Sequence, residues 1–245
     1  MSAFRDIAWS WGFSDGSGYC AVDYPAETQY GDYLIAALVY GSSTPASGWA
    51  LLGGQSVGYH SMRTYGRRAS GTEGGTVAQM LYGYGQPNTQ YWAGMARYHP
   101  AIDPNDIDWK LGWGESLHYA SYGPIIVGPF DPGDLGDTHL IVGVFAHINC
   151  FDSVSLSYPL SSAEWNDRGD LSWFHPYNEQ SGLVLVDAVN KTGVVEPVTL
   201  AVTDSANHTM SVTTCGFWLN DAEMLEESFL PDEDWTVLHT SGSVG

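Results

Sequence analysis

The chain has 245 residues and a formal net charge of −20, because only eight basic residues oppose 28 acidic ones. Such a charge repels nucleic-acid backbones and anionic membrane surfaces, so neither is an expected partner. The apolar runs span about ten residues at most, against the roughly 20 of a membrane-spanning helix, so no membrane insertion is expected. The start, MSAFRDIAWSWGF, lacks the basic and long apolar regions of a secretory signal.

The acidity comes from a shortage of basic residues, with two lysines and six arginines in the whole chain. A surface of this kind suits high salt, where charges are screened within about 3 Å at 1 M. It also suits a crowded assembly that needs repulsion between its parts. An ordinary soluble acidic protein is the alternative interpretation.

The first predicted element is FRDIAWSWGF, residues 4–13. Ile7, Trp9, Trp11 and Phe13 alternate there with small or polar residues, which predicts a half-buried strand with one aromatic face.

The next elements also predict strands, about seven within the first hundred residues. A short strand is expected near residues 19–22. YLIAALVY (33–40) is apolar on both faces and too short for a typical helix, which indicates a central buried strand. GWALLG, GYHSMRTYG, TVAQMLYGY and QYWAGMARYH follow, separated by Gly, Ser, Pro and Asn clusters. Two antiparallel sheets packed face to face are the economical arrangement for these strands.

The second half of the chain echoes the first. GDYLIAALVY (31–40) returns as GDTHLIVGVF (136–145), at an offset of 136 − 31 = 105. Further pairs are 47–49 with 163–165, then 62–77 with 184–199 at an offset of 184 − 62 = 122, and 91–98 with 212–219, where Gly94 and Gly216 are 216 − 94 = 122 apart. We therefore predict a tandem repeat.

The predicted fold class is all-β: two tandem antiparallel β-sandwich domains, Ig-like or jelly-roll-like, with a short C-terminal extension. Domain 1 is expected over residues 1–102, ending in the proline-rich HPAIDP, and domain 2 over residues 103–222. An acidic extension, residues 223–245, ends in Ser and Gly. NDAEMLEESF (220–229) has a cap and an acidic first turn, which predict a short helix.

Several motifs of catalysis are missing from the sequence. It contains no H-E-x-x-H, Walker loop or dinucleotide G-x-G-x-x-G, and we expect neither enzymatic activity nor a cofactor. The eight histidines form no pair at ligand spacing, and His139 and His147 are expected to be structural. A glycosidase with paired carboxylates stays open, because 28 acids always allow such a pair to be imagined.

The cysteines and acidic turns give no metal site. Cys20, Cys150 and Cys215 allow at most one intrachain disulfide, and we expect all three to be buried and reduced. Residues 103–108 and 131–137 are acidic, but they do not match the twelve-residue calcium loop. The triplet Arg168-Gly169-Asp170 is interpreted as a coincidence in a loop, without an adhesion role.

One basic cluster stands out from the acidic background. Arg63, Arg67 and Arg68 are half of all the arginines, and their counterparts at the offset of 122 are uncharged. Cations on so acidic a protein should pair with carboxylates, either within the chain or on a neighbouring subunit. The three arginines are therefore candidate partner-binding residues.

The segment LYGYGQPNTQYW (81–92) supplies further candidates for partner binding. Exposed aromatic rings there would suit sugar stacking or subunit packing. The candidates are Tyr82, Tyr84, Tyr91 and Trp92. Strand faces in the core explain the aromatic residues equally well.

The first half resembles the β-sandwich accessory proteins of tailed viruses, known as minor tail, fibre or head-decoration proteins. Their typical pattern is GDLLV … PSGWTLL … YYKVA…EP. The matching residues are Gly31, Asp32, Pro45, Ser47, Gly48, Trp49, Leu51, Leu52, Ala69 and Glu73, and Arg68 replaces the usual lysine. The resemblance covers residues 30–98 well and the second copy loosely. It implies a role in the virion and no particular site. Together with the scarcity of lysine, it suggests a virus of a halophilic archaeal host.

We therefore expect a non-enzymatic virion structural protein on the capsid or tail surface, as a decoration, turret or fibre, acting in assembly and host attachment. Its expected partners are other virion proteins, further copies of the chain, and host surface glycans or glycoprotein. The alternative is a carbohydrate-binding module or glycan-degrading enzyme on the same scaffold. A cellular surface-layer or adhesion module is a third option, which the missing signal disfavours.

Overall fold

The structure is a computed structural model, in which these residues are described: 4–14, 16–57, 60–81, 83, 89–99, 110–120, 125–129, 140–151, 165–174, 179–191, 194–200 and 210–220. The predicted helix at 220–229, the C-terminal extension and the 102/103 boundary lie outside them. None of the described segments is a helix long and apolar enough to cross a bilayer.

The described residues form fourteen strands and no helix. The first seven are β1 (Phe4–Phe13), β2 (Tyr19–Asp23), β3 (Tyr30–Val39), β4 (Ala50–Val57), β5 (His60–Ser70), β6 (Val77–Leu81) and β7 (Gln90–Tyr98). The others are β8 (Lys110–Ala120), β9 (Ile125–Val127), β10 (Leu140–Phe151), β11 (Asn166–Phe174), β12 (Glu179–Lys191), β13 (Val198–Leu200) and β14 (Met210–Asn220). The predicted all-β, antiparallel sandwich class is confirmed.

The two halves of the chain have the same topology. The first sheet has the strand order β1-β7-β3-β5-β4, and the second sheet reads β8-β14-β10-β12-β11 from the equivalent edge. Each half adds a two-stranded ribbon, β2 with β6 and β9 with β13. Every strand of the first half therefore has a counterpart seven strands later, with the same neighbours.

The two five-stranded sheets pack on each other, and each is covered on its other face by its own ribbon. The inner core between the sheets includes Tyr33, Ile35 and Ala37 from the first half and Phe145 and Phe217 from the second. A first outer core lies between the first sheet and the β2-β6 ribbon. A second outer core lies between the second sheet and the β9-β13 ribbon. β3 is apolar on both faces, as the sequence predicts, because it borders two cores.

The sheets face each other about an approximate two-fold axis. β1 approaches β11 while β4 approaches β8, and β7 approaches β12 while β5 approaches β14. When each strand is replaced by its counterpart in the other half, the contact of β1 with β11 becomes that of β8 with β4, and the contact of β7 with β12 becomes that of β14 with β5. The two halves thus contact each other through equivalent surfaces, as in the isologous interface of a two-fold dimer.

Two buried tryptophans fix the register of the repeat. Trp49 and Trp165, which the sequence comparison aligns, directly precede β4 and β11. Ala50, which follows Trp49, pairs with Gly66, and Asn166, which follows Trp165, pairs with Asp187. The offset between β5 and β12 is therefore 187 − 66 = 121.

The predicted offsets of 122 and 105 are consequently wrong. Thr64 is equivalent to Leu185, and their cross-strand partners Ala37 and Phe145 give an offset of 145 − 37 = 108 for β3 and β10. At 122, Thr64 would fall on Val186, which belongs to the second outer core. A slip of one residue turns every side chain of a strand to the opposite face.

The first strand is only partly covered. Ile7 and Trp9 pack against the inner core. Trp11 and Phe13 are 64% and 59% exposed. The predicted strand is confirmed, but its burial does not follow the predicted alternation, because Ser10 is buried and half of the aromatic face is exposed.

Candidate functional site

The turn after β5 is built around the carboxylate of Glu73. Its Oε1 accepts hydrogen bonds from Arg67 Nη2 (2.7 Å) and from the Ser70 N–H and hydroxyl (2.8 Å each), and its Oε2 accepts one from the Thr72 N–H (2.9 Å). Burial raises the pKa of Glu73, but these hydrogen bonds outweigh burial and hold the pKa below its usual value. The residue is an ionised anchor for the turn.

Arg67 joins this turn to the segment before β4. Its guanidinium lies 5.5 Å from the ring centroid of Trp49 and 5.9 Å from that of Tyr24, and its Nη1 donates to the Tyr24 hydroxyl at 3.1 Å. Trp49 is 7% exposed, and its backbone N–H donates to the Ala46 carbonyl. The PASGW segment and Glu73 therefore form one packed scaffold cluster.

The three predicted partner-binding arginines do not form one patch. Arg67 and Arg68 are successive residues of a strand, so their side chains point to opposite faces of the sheet. Arg68 lies 5.7 Å from the ring of Tyr33 on the inner face. Arg63 packs along Gly54 and donates to the Met62 carbonyl at 3.0 Å. Arg67 and Arg68 therefore do not share one surface, and the carboxylate that Arg67 binds lies within this chain, which is one of the two predicted pairings.

Two of the predicted aromatic site residues are core residues. Tyr91 is 6% exposed and donates its hydroxyl to the Ala21 carbonyl at 2.7 Å. Trp92 is 4% exposed and stacks on Trp173 with ring centroids 4.2 Å apart. Both belong to β7, a strand inside the first sheet, so neither presents a ring to an external sugar or subunit. Tyr82 and Tyr84 lie outside the described residues.

A buried ionic network explains the Gly-Asp step before the central strand. Asp32 is fully buried, and its Oδ2 accepts the Gln29 N–H at 2.7 Å and lies 3.3 Å from Arg97 Nη1. Its Oδ1 lies 2.6 Å from His99 Nδ1. Arg97 also pairs with Asp6 at 2.6 Å, which ties β7 to β1. Sequence reasoning missed Arg97, although an arginine amid the apolar residues of QYWAGMARYH was a usable signal.

A second buried carboxylate joins the two halves. Asp187 of β12 accepts the Tyr98 hydroxyl at 3.0 Å, and Tyr98 belongs to β7 in the other half. Arg168 Nη2 pairs with the same carboxylate at 2.8 Å, and its guanidinium lies 4.4 Å from the ring of Phe4 in β1. Asn166 Nδ2 donates to it at 3.2 Å. Arg168 and the Tyr98 hydroxyl thus help to fasten the second half to the first.

Burial governs the titration of this pair. It raises the pKa of Asp187 even though Arg168 and Tyr98 stabilise the carboxylate, and it raises the pKa of Tyr98 well above its usual value. Arg168 stands in a strand at a register irregularity between Asp167 and Gly169, so the predicted loop at residues 168–170 is wrong. The pairing of Arg168 with Asp187 agrees with the interpretation that the Arg-Gly-Asp triplet is a coincidence.

The remaining sequence candidates lie in the core or outside the described residues. Cys20 and Cys215 are buried thiols, as predicted, and they donate to the carbonyls of Met80 and Met62, while the side chain of Cys150 is not described. His147 is buried against Trp173, with ring centroids 5.7 Å apart. His139 and both acidic turns fall outside the described residues. Within them, no three His, Cys, Asp or Glu side chains come together to hold a metal ion.

These clusters share one chemical character. The buried carboxylates of Asp32, Glu73 and Asp187 are each engaged by an arginine and by further hydrogen-bond donors. A carboxylate held in this way fixes neighbouring elements, and its occupied lone pairs leave little capacity to move a proton on a bound substrate.

Comparisons of the chain with models of protein families, with curated proteins and with solved structures find no match.

Proposed function

We propose that this protein is a non-enzymatic structural component of a virion. It is displayed on the capsid or tail surface as a decoration, turret or fibre, and it acts in assembly and host attachment. Its partners are other virion proteins, further copies of itself, and host surface glycans or glycoprotein. The host is a halophilic archaeon.

The observation that carries the proposal is the structural use of the residues shared with the tailed-virus proteins. Arg67 contacts both Trp49 and Glu73 in one packed cluster, and Asp32 of the central strand β3 pairs with Arg97. These residues build a scaffold. Proteins that share scaffold residues share an architecture, while their binding sites lie in loops and edges that differ between members. Surface modules of virions are built in this way.

The alternative, a carbohydrate-binding module or a glycan-degrading enzyme, requires other features. A glycosidase needs two carboxyl groups about 5 to 9.5 Å apart beside a cleft. The carboxylates of Asp32 and Asp187 are fully buried, and that of Glu73 is bound by Arg67 and the turn backbone. Their engagement favours the structural role.

Mass spectrometry of purified virus particles, with copy number, tests the virion role. We expect the chain at a fixed stoichiometry to the major capsid or tail protein. Its absence from washed particles would refute the proposal, whereas glycan hydrolysis by the purified protein would favour the alternative.

The halophilic assignment has its own test. A chain of net charge −20 should gain stability as added salt screens repulsion between carboxylates. Thermal unfolding between 0.1 and 3 M NaCl should show a rising midpoint. A midpoint that stays constant over this range would contradict adaptation to high salt.

A further inference from the structure

In the described part of the chain, the first sheet ends at β1, and the stretch of β1 from Ile7 to Phe13 lacks the usual protection of a sheet edge. Within the described residues, β1 pairs with β7 alone. Its pairing runs without irregularity from Asp6 to Phe13, and the stretch from Ile7 to Phe13 has no charge and no proline. Natural sheets blunt their edges with charges, prolines, bulges or short strands, because an open edge pairs with other chains.

The other sheet edges are better protected. β11 carries Asp167, Arg168 and Asp170 and a register irregularity. β4 has an irregularity between Leu51 and Gly53. β8 contains Lys110 and Glu115. Among the described edges, only β1 combines a regular register with an uncharged stretch of this length.

The exposed rings lie at the same place. Trp11 and Phe13 are two residues apart, so they point to one face of β1 and are separated by about 7 Å along the strand. They continue the row of Ile7 and Trp9, whose side chains pack on the inner core. The apolar surface that holds the two halves together thus extends out to the open edge.

Charge indicates what covers this edge. Two copies of a chain with a net charge of −20 repel each other almost everywhere, so they can approach most easily through a surface without charge. A basic or acidic partner would find no opposite charge on Ile7 to Phe13. A second copy offers the same neutral, apolar edge.

We propose that β1 pairs antiparallel with β1 of a second copy of this chain, so that the two first sheets become one continuous sheet. The contact is isologous, with Trp11 and Phe13 of each copy on the same face of the joint. Two paired strands and four rings bury less than the roughly 1,200 Å² of a standard interface, so the dimer is weak in dilute solution. Assembly on a larger particle would raise its effective concentration.

Salt sets the strength of this dimer. The contact contains no ion pair to screen, whereas the repulsion between the two acidic copies falls as the Debye length shrinks from about 10 Å at 0.1 M to about 3 Å at 1 M. Raising the salt concentration therefore strengthens the association. An interface held by salt bridges would respond in the opposite direction.

Sedimentation velocity of the purified full chain, over a range of protein concentrations at 0.1 and 3 M NaCl, tests the proposal. We expect a monomer–dimer equilibrium that tightens with salt. In the double variant Trp11→Glu and Phe13→Glu, the dissociation constant should rise about a hundredfold, because two apolar rings per copy are replaced by charges. Ile126→Glu is the matched control, since Ile126 is a similarly exposed strand residue at 54% and should leave the constant unchanged.

A second measurement needs no variant. Amide hydrogen exchange of the wild-type chain at low and high concentration should show added protection in residues 4–13 when dimers form. The proposal is overturned by a chain that stays monomeric at millimolar concentration in 3 M NaCl, or by a dimer that the double variant leaves intact. A monomer that binds a neutral glycan and loses it in the double variant would also overturn it, assigning the rings to sugars. A dimer formed by a chain that is absent from virions would leave this inference standing and refute only the proposed function.

Discussion

Three of the eight basic residues of this acidic chain hold a buried carboxylate: Arg67 with Glu73, Arg97 with Asp32, and Arg168 with Asp187. Salt screens buried pairs less than pairs at the surface. Each pair is internally neutral, so the other five basic and 25 acidic residues still carry the net charge of −20.

Replacing Asp187 by Asn tests the ionic contact between the halves. The change leaves the Arg168 guanidinium beside Phe4 without its carboxylate, and breaking a buried pair costs about 3 to 5 kcal/mol. We expect the free energy of unfolding in denaturant to fall by about that amount. Asp170→Asn, at an exposed position in the same half, is the control and should change it by less than about 0.5 kcal/mol. Equal effects of the two substitutions would show that the pair contributes nothing specific.

Glu73 should make stability depend on acid. Its pKa is lowered in the folded state, so the unfolded chain binds the proton more readily than the folded chain does. The stability that the ionised carboxylate contributes is fully present above the ordinary carboxyl pKa of about 4.3 and is lost as pH falls through the lower, folded value.

The matching measurement compares wild type with Glu73→Gln from pH 7 to pH 3. The wild type should be more stable at neutral pH, and the difference in unfolding free energy should shrink towards acid. A difference that stays constant across this range would mean that the charge of Glu73 does not support the turn.

At the scale of the elements, strands were predictable and their facing was not. Alternation and the Gly, Ser and Pro clusters locate the strands of the first half. The central segments YLIAALVY and GLVLVDAV are apolar on both faces, so a shift of one residue leaves their pattern almost unchanged. The offset of 122 was therefore as acceptable as the true 121, and only cross-strand pairing separates them.

The same limit applies to the candidate site. Period-two alternation was enough to place Arg67 and Arg68 on opposite faces, although their closeness in sequence suggested one patch. The burial of Tyr91 and Trp92 depends on where β7 lies in the sheet order, which requires pairing across some 80 residues of chain. The exposure of Trp11 depends on where the opposite sheet ends. Such information is tertiary and is not contained in local sequence patterns.

Close packing of a glycine against an aromatic ring is a property of paired strands. Gly143 in β10 lies directly opposite Phe217 in β14, and a methyl group there would overlap the ring. Gly143→Ala should destabilise the protein by about 1 to 3 kcal/mol through overpacking. Phe217→Leu in the same chain should recover part of this loss, giving a coupling above about 0.5 kcal/mol in a double-mutant cycle of denaturant unfolding. Additive effects would contradict the contact.

At the scale of the whole molecule, two halves of one topology share a core that neither could bury alone. Phe217 packs on Phe145 of its own half and, edge to face, on Tyr98 of the other half, at centroid distances of 6.1 and 6.0 Å. The Tyr98 hydroxyl reaches Asp187 in the same region. Because the described residues of each inner face are covered by those of the other, the two halves should unfold as one cooperative unit.

Phe217→Ala tests this cooperativity. The substitution removes a fully buried ring and should cost about 3 to 5 kcal/mol. Amide hydrogen exchange should then become faster by the same free energy in β3 as in β10, although Phe217 belongs to the second half alone. Val22→Ala, in the first outer core, tests the converse case of a substitution in the first half. It should accelerate amide exchange in β10 as much as in β3. Faster exchange in β10 with unchanged exchange in β3 would show that the halves are independent domains joined by a passive interface. Equal acceleration in β3 and β10 would mean that the two halves unfold as a single unit. One half alone could then not replace the whole chain.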